Sequence, residues 1–129
     1  MTTSTREPRE IITSLCSSFS VQIEHYKTLH DRTQKILSKL ILSRGDVSPL
    51  RAAFDEKQVL LEAISAEREK IKPSIVWWQE NKESLGTFTF AKELDALLVV
   101  MEKAIKKFLE SEDQLERHLA KLAKVSTPS

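Results

Sequence analysis

Apolar residues recur every seven positions along most of the chain, and that spacing limits what it can fold into. Ile12, Phe19, Tyr26, Thr33 and Leu40 fall seven apart, with Leu15, Cys16, Ile23, Leu29, Ile36 and Leu37 three or four residues on. An α-helix turns once in about 3.6 residues, so this set runs along one side of a helix in coiled-coil register. A strand, with its period of two, cannot hold the set on one face. Pro8 suits a first helical turn and SRGDVSP at 43–49 is a break, which predicts a helix over 8–43, about 54 Å long.

Two more stripes follow. Gly45 offers a left-handed stop, Asp46 or Ser48 a cap, and Pro49 a first-turn residue for a second helix over 49–84. Its stripe is Leu50, Phe54, Lys57, Leu61, Ile64, Arg68, Ile71, Ile75 and Trp78, in alternating steps of four and three. Pro73 lies inside this run without shifting its phase, which predicts a kink or short break near Lys72. In KESLGTFTF, 82–90, Gly86 is a stop and Thr87 or Thr89 a cap. A third helix over 88–124 carries Ala91, Leu94, Leu98, Met101, Ile105, Phe108, Glu112, Leu115, Leu119 and Leu122. Leu97, Val99, Val100, Ala104 and Leu109 widen its first half, as packing against two neighbours requires. The fold expected is all-α: one domain, an elongated antiparallel three-helix coiled-coil bundle, its second helix kinked near Pro73. The polar ends, 1–7 and 125–129, are expected to be disordered.

Charge and composition narrow the function. Lys and Arg number 20 against 19 Asp and Glu, and a net charge of +1 gives no general attraction to nucleic acid or anionic lipid. One cysteine, Cys16, cannot close an internal disulfide. MTTSTREPRE places charges where a secretion signal needs an apolar run, and no segment approaches the roughly 18 apolar residues of a membrane span. The expectation is a soluble, cytoplasmic protein with no nucleic-acid partner and no membrane insertion.

Catalytic chemistry finds little to work with. A di-iron bundle needs Glu-x-x-His, but the residues three before His25, His30 and His118 are Gln22, Lys27 and Leu115. Cys16 sits on an apolar stripe without a flanking cation, which favours a packed, unreactive thiol. Acidic pairs such as Glu67 and Glu69 alternate with Lys and Arg, as on a solvated helix, and Gly45 and Gly86 form no phosphate loop. The expectation is a non-enzyme with no metal and no cofactor. Lys57, Arg68 and Glu112 interrupt the stripes. Either their stems reach the seam edge and their charges find water or partners, or they fix register and leave a groove ready for an acidic group on a bound segment. Glu112 is placed to pair with Lys57 or Arg68, since the second and third helices are antiparallel.

Two regions are candidates for binding a partner. Trp77 lies one step off the second stripe, while Trp78 lies on it, and Trp77, Phe88 and Phe90 gather at one end of the bundle. They read either as an aromatic plug or as an exposed patch that anchors a peptide. Farther on, Phe108, Leu115, Leu119 and Leu122 form a narrow stripe flanked by charges. It either finds cover on the first helix or detaches to hold a partner helix.

The segment LSRGDVSPLRAAFDEKQVLLEAISAEREK, 42–70, resembles the FlgN family of flagellar export chaperones. In that family the first helix typically ends in Gly-Asp, followed by a leucine and a helix with Lys-x-x-Leu-Leu and a later Glu-x-x-Arg or Glu-Arg. Here those places are Gly45, Asp46, Leu50, Lys57, Leu60, Leu61, Glu67 and Arg68. The family often has an asparagine-rich stretch before its final leucines, where this chain reads ESEDQLERHL. The resemblance implies a cytoplasmic chaperone that binds the C-terminal helical segments of hook-associated proteins and delivers them to the type III export apparatus. It also implies that the client binds at Leu115, Leu119 and Leu122. A FliT-like chaperone, or a structural or adaptor coiled coil that closes its seams as a homodimer, would carry similar stripes.

Overall fold

The computed structural model describes residues 8–44, 46–86 and 88–126, with side chains up to Ala123. Helix α1 spans Pro8–Leu42, α2 Arg51–Leu85 and α3 Thr89–Ser126, and one 3-10 turn, Ser48–Leu50, leads into α2. No strand occurs among the described residues. The fold is the all-α three-helix bundle that the heptad spacing predicts, with α1 and α3 parallel and α2 antiparallel to both.

Helix α1 is its centre. All five residues of the first heptad row, Ile12, Phe19, Tyr26, Thr33 and Leu40, are buried. Both other helices lie along α1, yet they scarcely approach one another. The core therefore divides into layers stacked along α1. Ile12, Leu15 and Phe19 meet Ile71, Trp78, Ala91 and Leu94 near the α2–α3 turn. Tyr26 and Leu29 meet Ile64, Ala104 and Phe108 in the middle, where the Tyr26 and Phe108 ring centroids are 6.1 Å apart. Ile36 and Leu40 meet Leu50 and Leu115 at the far end.

Polar contacts tie α1 to each neighbour between these layers. The Ser18 hydroxyl donates to Glu67 Oε1 of α2 at 2.8 Å. On the α3 side, the Gln34 amide donates to Ser111 Oγ at 2.9 Å, and His30 Nδ1 lies 2.5 Å from the same oxygen. The Glu67 carboxyl is held below the usual carboxylate range, chiefly by the Ser18 hydroxyl and with help from Lys70. The Cys16 thiol, half-buried on α1, is pushed up by burial and by the Glu93 carboxylate of α3.

The helix ends depart from expectation in several places. Arg44 takes φ 58° at the end of α1, so a non-glycine residue occupies the left-handed position. The expected stop at Gly45 lies outside the described residues, as does the Thr87 cap. Asp46 Oδ1 accepts the Ser48 N–H at 3.0 Å, an Asx turn that starts the 3-10 segment. Pro49 sits in that segment, so α2 proper begins at Arg51, not at 49. Pro73 lies inside a continuous α2, with no break at Lys72. Its missing N–H removes the bond to the Glu69 carbonyl. Phe88 takes the cap position expected of Thr89, its carbonyl accepting the N–H groups of Ala91 and Lys92. Helix α3 runs on to Ser126, so Val125 and Ser126 are helical and not part of a disordered end. The residues before them, AKLAK, contain strong helix formers and no breaker. The expectations for 1–7 and 127–129 lie outside the described residues.

Candidate functional site

The continuous stripe of α2 resolves into two rows with different fates. Lys57, Ile64, Ile71 and Trp78, seven apart, are all buried, the last three in core layers with α1, although Ile71 and Trp78 also reach the gap between α2 and α3. Leu61, Arg68, Ile75 and Lys82, also seven apart, face the gap between α2 and α3. Leu61, expected in the core, is 36% exposed. A coiled-coil helix needs a neighbour over both rows, and here α1 covers one while α3 stands too far off to cover the other.

The gap is a groove of about 670 Å³. One wall is the open row of α2, and the other is Leu98, Met101, Ile105 and Leu109 of α3, the last 56% exposed. Leu15, Phe19, Gln22 and Tyr26 of α1 form the floor. It follows α2 for about 25 Å from Leu61 to Trp78, long enough for roughly five helical turns of a bound segment. The Gln22 amide on the floor is buried and donates to Ser18 Oγ at 3.3 Å, and its carbonyl has no partner among the described residues.

Both ends are closed by contacts between α2 and α3. At one end Lys57 forms an ion pair with Glu112 Oε1, which also accepts the Thr33 hydroxyl at 3.2 Å, so three helices share one polar node. Beyond it, Phe54 packs against the same layer as Leu119 and Leu122. At the other end, the short turn between Leu85 and Thr89 joins the helices covalently. Of the three stripe interruptions, Lys57 and Glu112 thus find each other. Arg68 remains exposed at the groove without an ion-pair partner among the described residues, and so does Lys82.

The two candidate regions read from the sequence are largely occupied from within. Phe108 and Leu115 are core residues, 5% and 3% exposed, and Leu119 and Leu122 pack against Ile36, Leu40, Leu50 and Leu115. Helix α3, 38 residues against 35 for α1, carries its narrow stripe along α1, where Ile36 and Leu40 cover it. Of the four, Phe108 alone lines the groove. Trp77 and Phe90 pack on the end of the core as a plug, and Trp77 is only half-buried. Phe88 stacks on Phe90, centroids 5.3 Å apart, and remains 48% exposed.

Sequence reasoning missed the wall residues Leu61, Ile75, Leu98, Met101, Ile105 and Leu109 as a site. One signal was present in the sequence. The cations Arg68 and Lys82 both fall in the row of Leu61 and Ile75, while the buried row carries a single cation, Lys57.

Among the described residues no group of three His, Cys, Asp or Glu side chains is placed to hold a metal ion, and no helix is long and apolar enough to cross a membrane. No protein-family model, curated protein or solved structure matches the chain.

Proposed function

We propose that this chain is a cytoplasmic flagellar export chaperone that holds an amphipathic helical segment of a hook-associated protein until the type III apparatus takes it up. The observation supporting it is the open groove between α2 and α3, an apolar trough about five helical turns long. A chaperone of this kind needs to hide an apolar face reversibly and needs no catalytic group. The family resemblance over 42–70 supplies the client class, and Leu61 and Arg68 of that segment line the groove. The site moves from the C-terminal stripe, which the core occupies, to the groove.

The test is titration of C-terminal peptides from hook-associated proteins into the full chain, followed by calorimetry. A one-to-one complex that is lost in the variants Leu61→Glu and Leu109→Glu supports the proposal. Both positions are exposed, so these changes leave the bundle folded. Absence of binding to all such peptides overturns the client class. A dimer that persists at nanomolar dilution favours the structural coiled coil instead.

A further inference from the structure

The groove is not electrically neutral, and its charge narrows what can fill it. Its charged lining residues are both cations, Arg68 and Lys82, fourteen residues apart on one flank of α2 and so about 20 Å apart along the helix axis. Neither has an ion-pair partner among the described residues, so both are free to meet charges on a bound segment. Gln79, between them, adds a neutral polar group to the same flank. The opposite wall, Leu98, Met101, Ile105 and Leu109, is apolar throughout.

We infer that the groove selects an amphipathic helix from another protein, apolar on the face it buries and acidic along one flank, with carboxylates spaced about four turns apart to meet Arg68 and Lys82. The inference rests on the proposal that the groove holds a foreign helix, and it adds the charge and orientation of that helix. With cations along one wall only, a helix inserted with its acidic flank toward α3 would lose both pairs. Orientation about the helix axis is therefore fixed by charge, and depth by the apolar face. A second copy of the chain supplies no such helix. Its exposed Leu61 and Leu109 lie in the groove itself, and the outward face of α3 beside the groove carries Asp95, Glu102, Lys103, Lys106, Lys107 and Glu110 around Val99 and Val100. Such a face is too polar to enter an apolar trough.

Designed peptides test this without any flagellar sequence, so its outcome is separate from that of the client class. A labelled 21-residue helix with leucines in heptad positions and glutamates fourteen residues apart on one flank is titrated into the full chain by fluorescence anisotropy at low salt. A second peptide carries lysines in place of the glutamates. The glutamate peptide is expected to bind about tenfold more tightly than the lysine peptide, and the preference to reverse in the double variant R68E/K82E. Both substitutions are at exposed positions, and circular dichroism checks that helicity is retained. Raising the salt to 1 M is expected to remove most of the difference but not the binding. Equal affinity for both peptides, a preference that persists in R68E/K82E, or failure of both peptides to bind overturns the inference. A concentration-dependent dimer that R68E/K82E dissociates also overturns it, by assigning the groove to a second copy.

Discussion

Lys57 of α2 is ion-paired with Glu112 of α3 inside the bundle, at the point where the groove closes, and Thr33 of α1 donates to the same carboxylate oxygen. The Lys57 side chain is almost fully buried, while about a quarter of the Glu112 side chain reaches solvent. A pair so placed contributes less to net stability than its directness suggests, because both charges leave water to form it. Removing one partner is a different matter.

Lys57→Met is therefore expected to destabilise the chain by about 2 to 4 kcal/mol, since Glu112 is left with only the Thr33 hydroxyl. The double variant K57M/E112L is expected to recover most of that loss. Urea unfolding of the parent, the single and the double variant measures both. A double variant less stable than Lys57→Met would show that the ion pair is a net stabiliser.

The two rows of α2 should differ sharply in their response to truncation. Ile64→Ala, in the buried row, is expected to cost about 2 to 4 kcal/mol. Leu61→Ala, only three residues away, is expected to cost less than about 1 kcal/mol because its side chain already meets solvent. Thermal unfolding of the two variants side by side decides the matter, and equal losses would mean that α3 covers both rows in solution.

Glu67 gives a pH-dependent prediction. Its folded pKa is lowered, so the stability it contributes is present above the ordinary carboxylate range and is lost as pH falls through the lowered value. Ser18→Ala removes the largest cause of that shift. The variant should be weaker than the parent by about 1 kcal/mol at pH 7, and the gap should narrow as pH falls through the lowered value at which Glu67 of the parent takes up its proton. Carboxyl titration by NMR should show the Glu67 midpoint rising in the variant.

Arg44 holds φ 58°, where a Cβ meets the following carbonyl. Arg44→Gly is expected to raise stability by roughly 0.5 to 1 kcal/mol, the relief of that contact exceeding the added freedom of the unfolded chain. A higher midpoint in guanidinium chloride is the expected result, and an unchanged or lower one would refute the assignment of strain.

The helices were legible because periodicity is a local property. The row from Ile12 to Leu40 announces a buried face, and every member is buried. What a stripe cannot state is how many neighbours cover it. Leu61 and Ile64 are equally apolar and belong to one unbroken pattern, yet α1 covers Ile64 while the gap leaves Leu61 open, because that gap depends on where α3 sits over α1. The same reason explains why Leu115 and Leu122 look like a free edge in sequence and are covered in space. Their cover, Ile36 and Leu40, lies about 80 residues earlier in the chain. The pairing of Lys57 with Glu112 was among the alternatives the spacing allowed, and geometry chose between it and Arg68.

Helices α2 and α3 are fastened to each other above and below the groove but not along it. Under the proposed function, a slit stitched at both ends takes its guest from the side and not from a tip. Entry then makes no demand for a free terminus. An internal stretch of a long polypeptide can be received as readily as its tail.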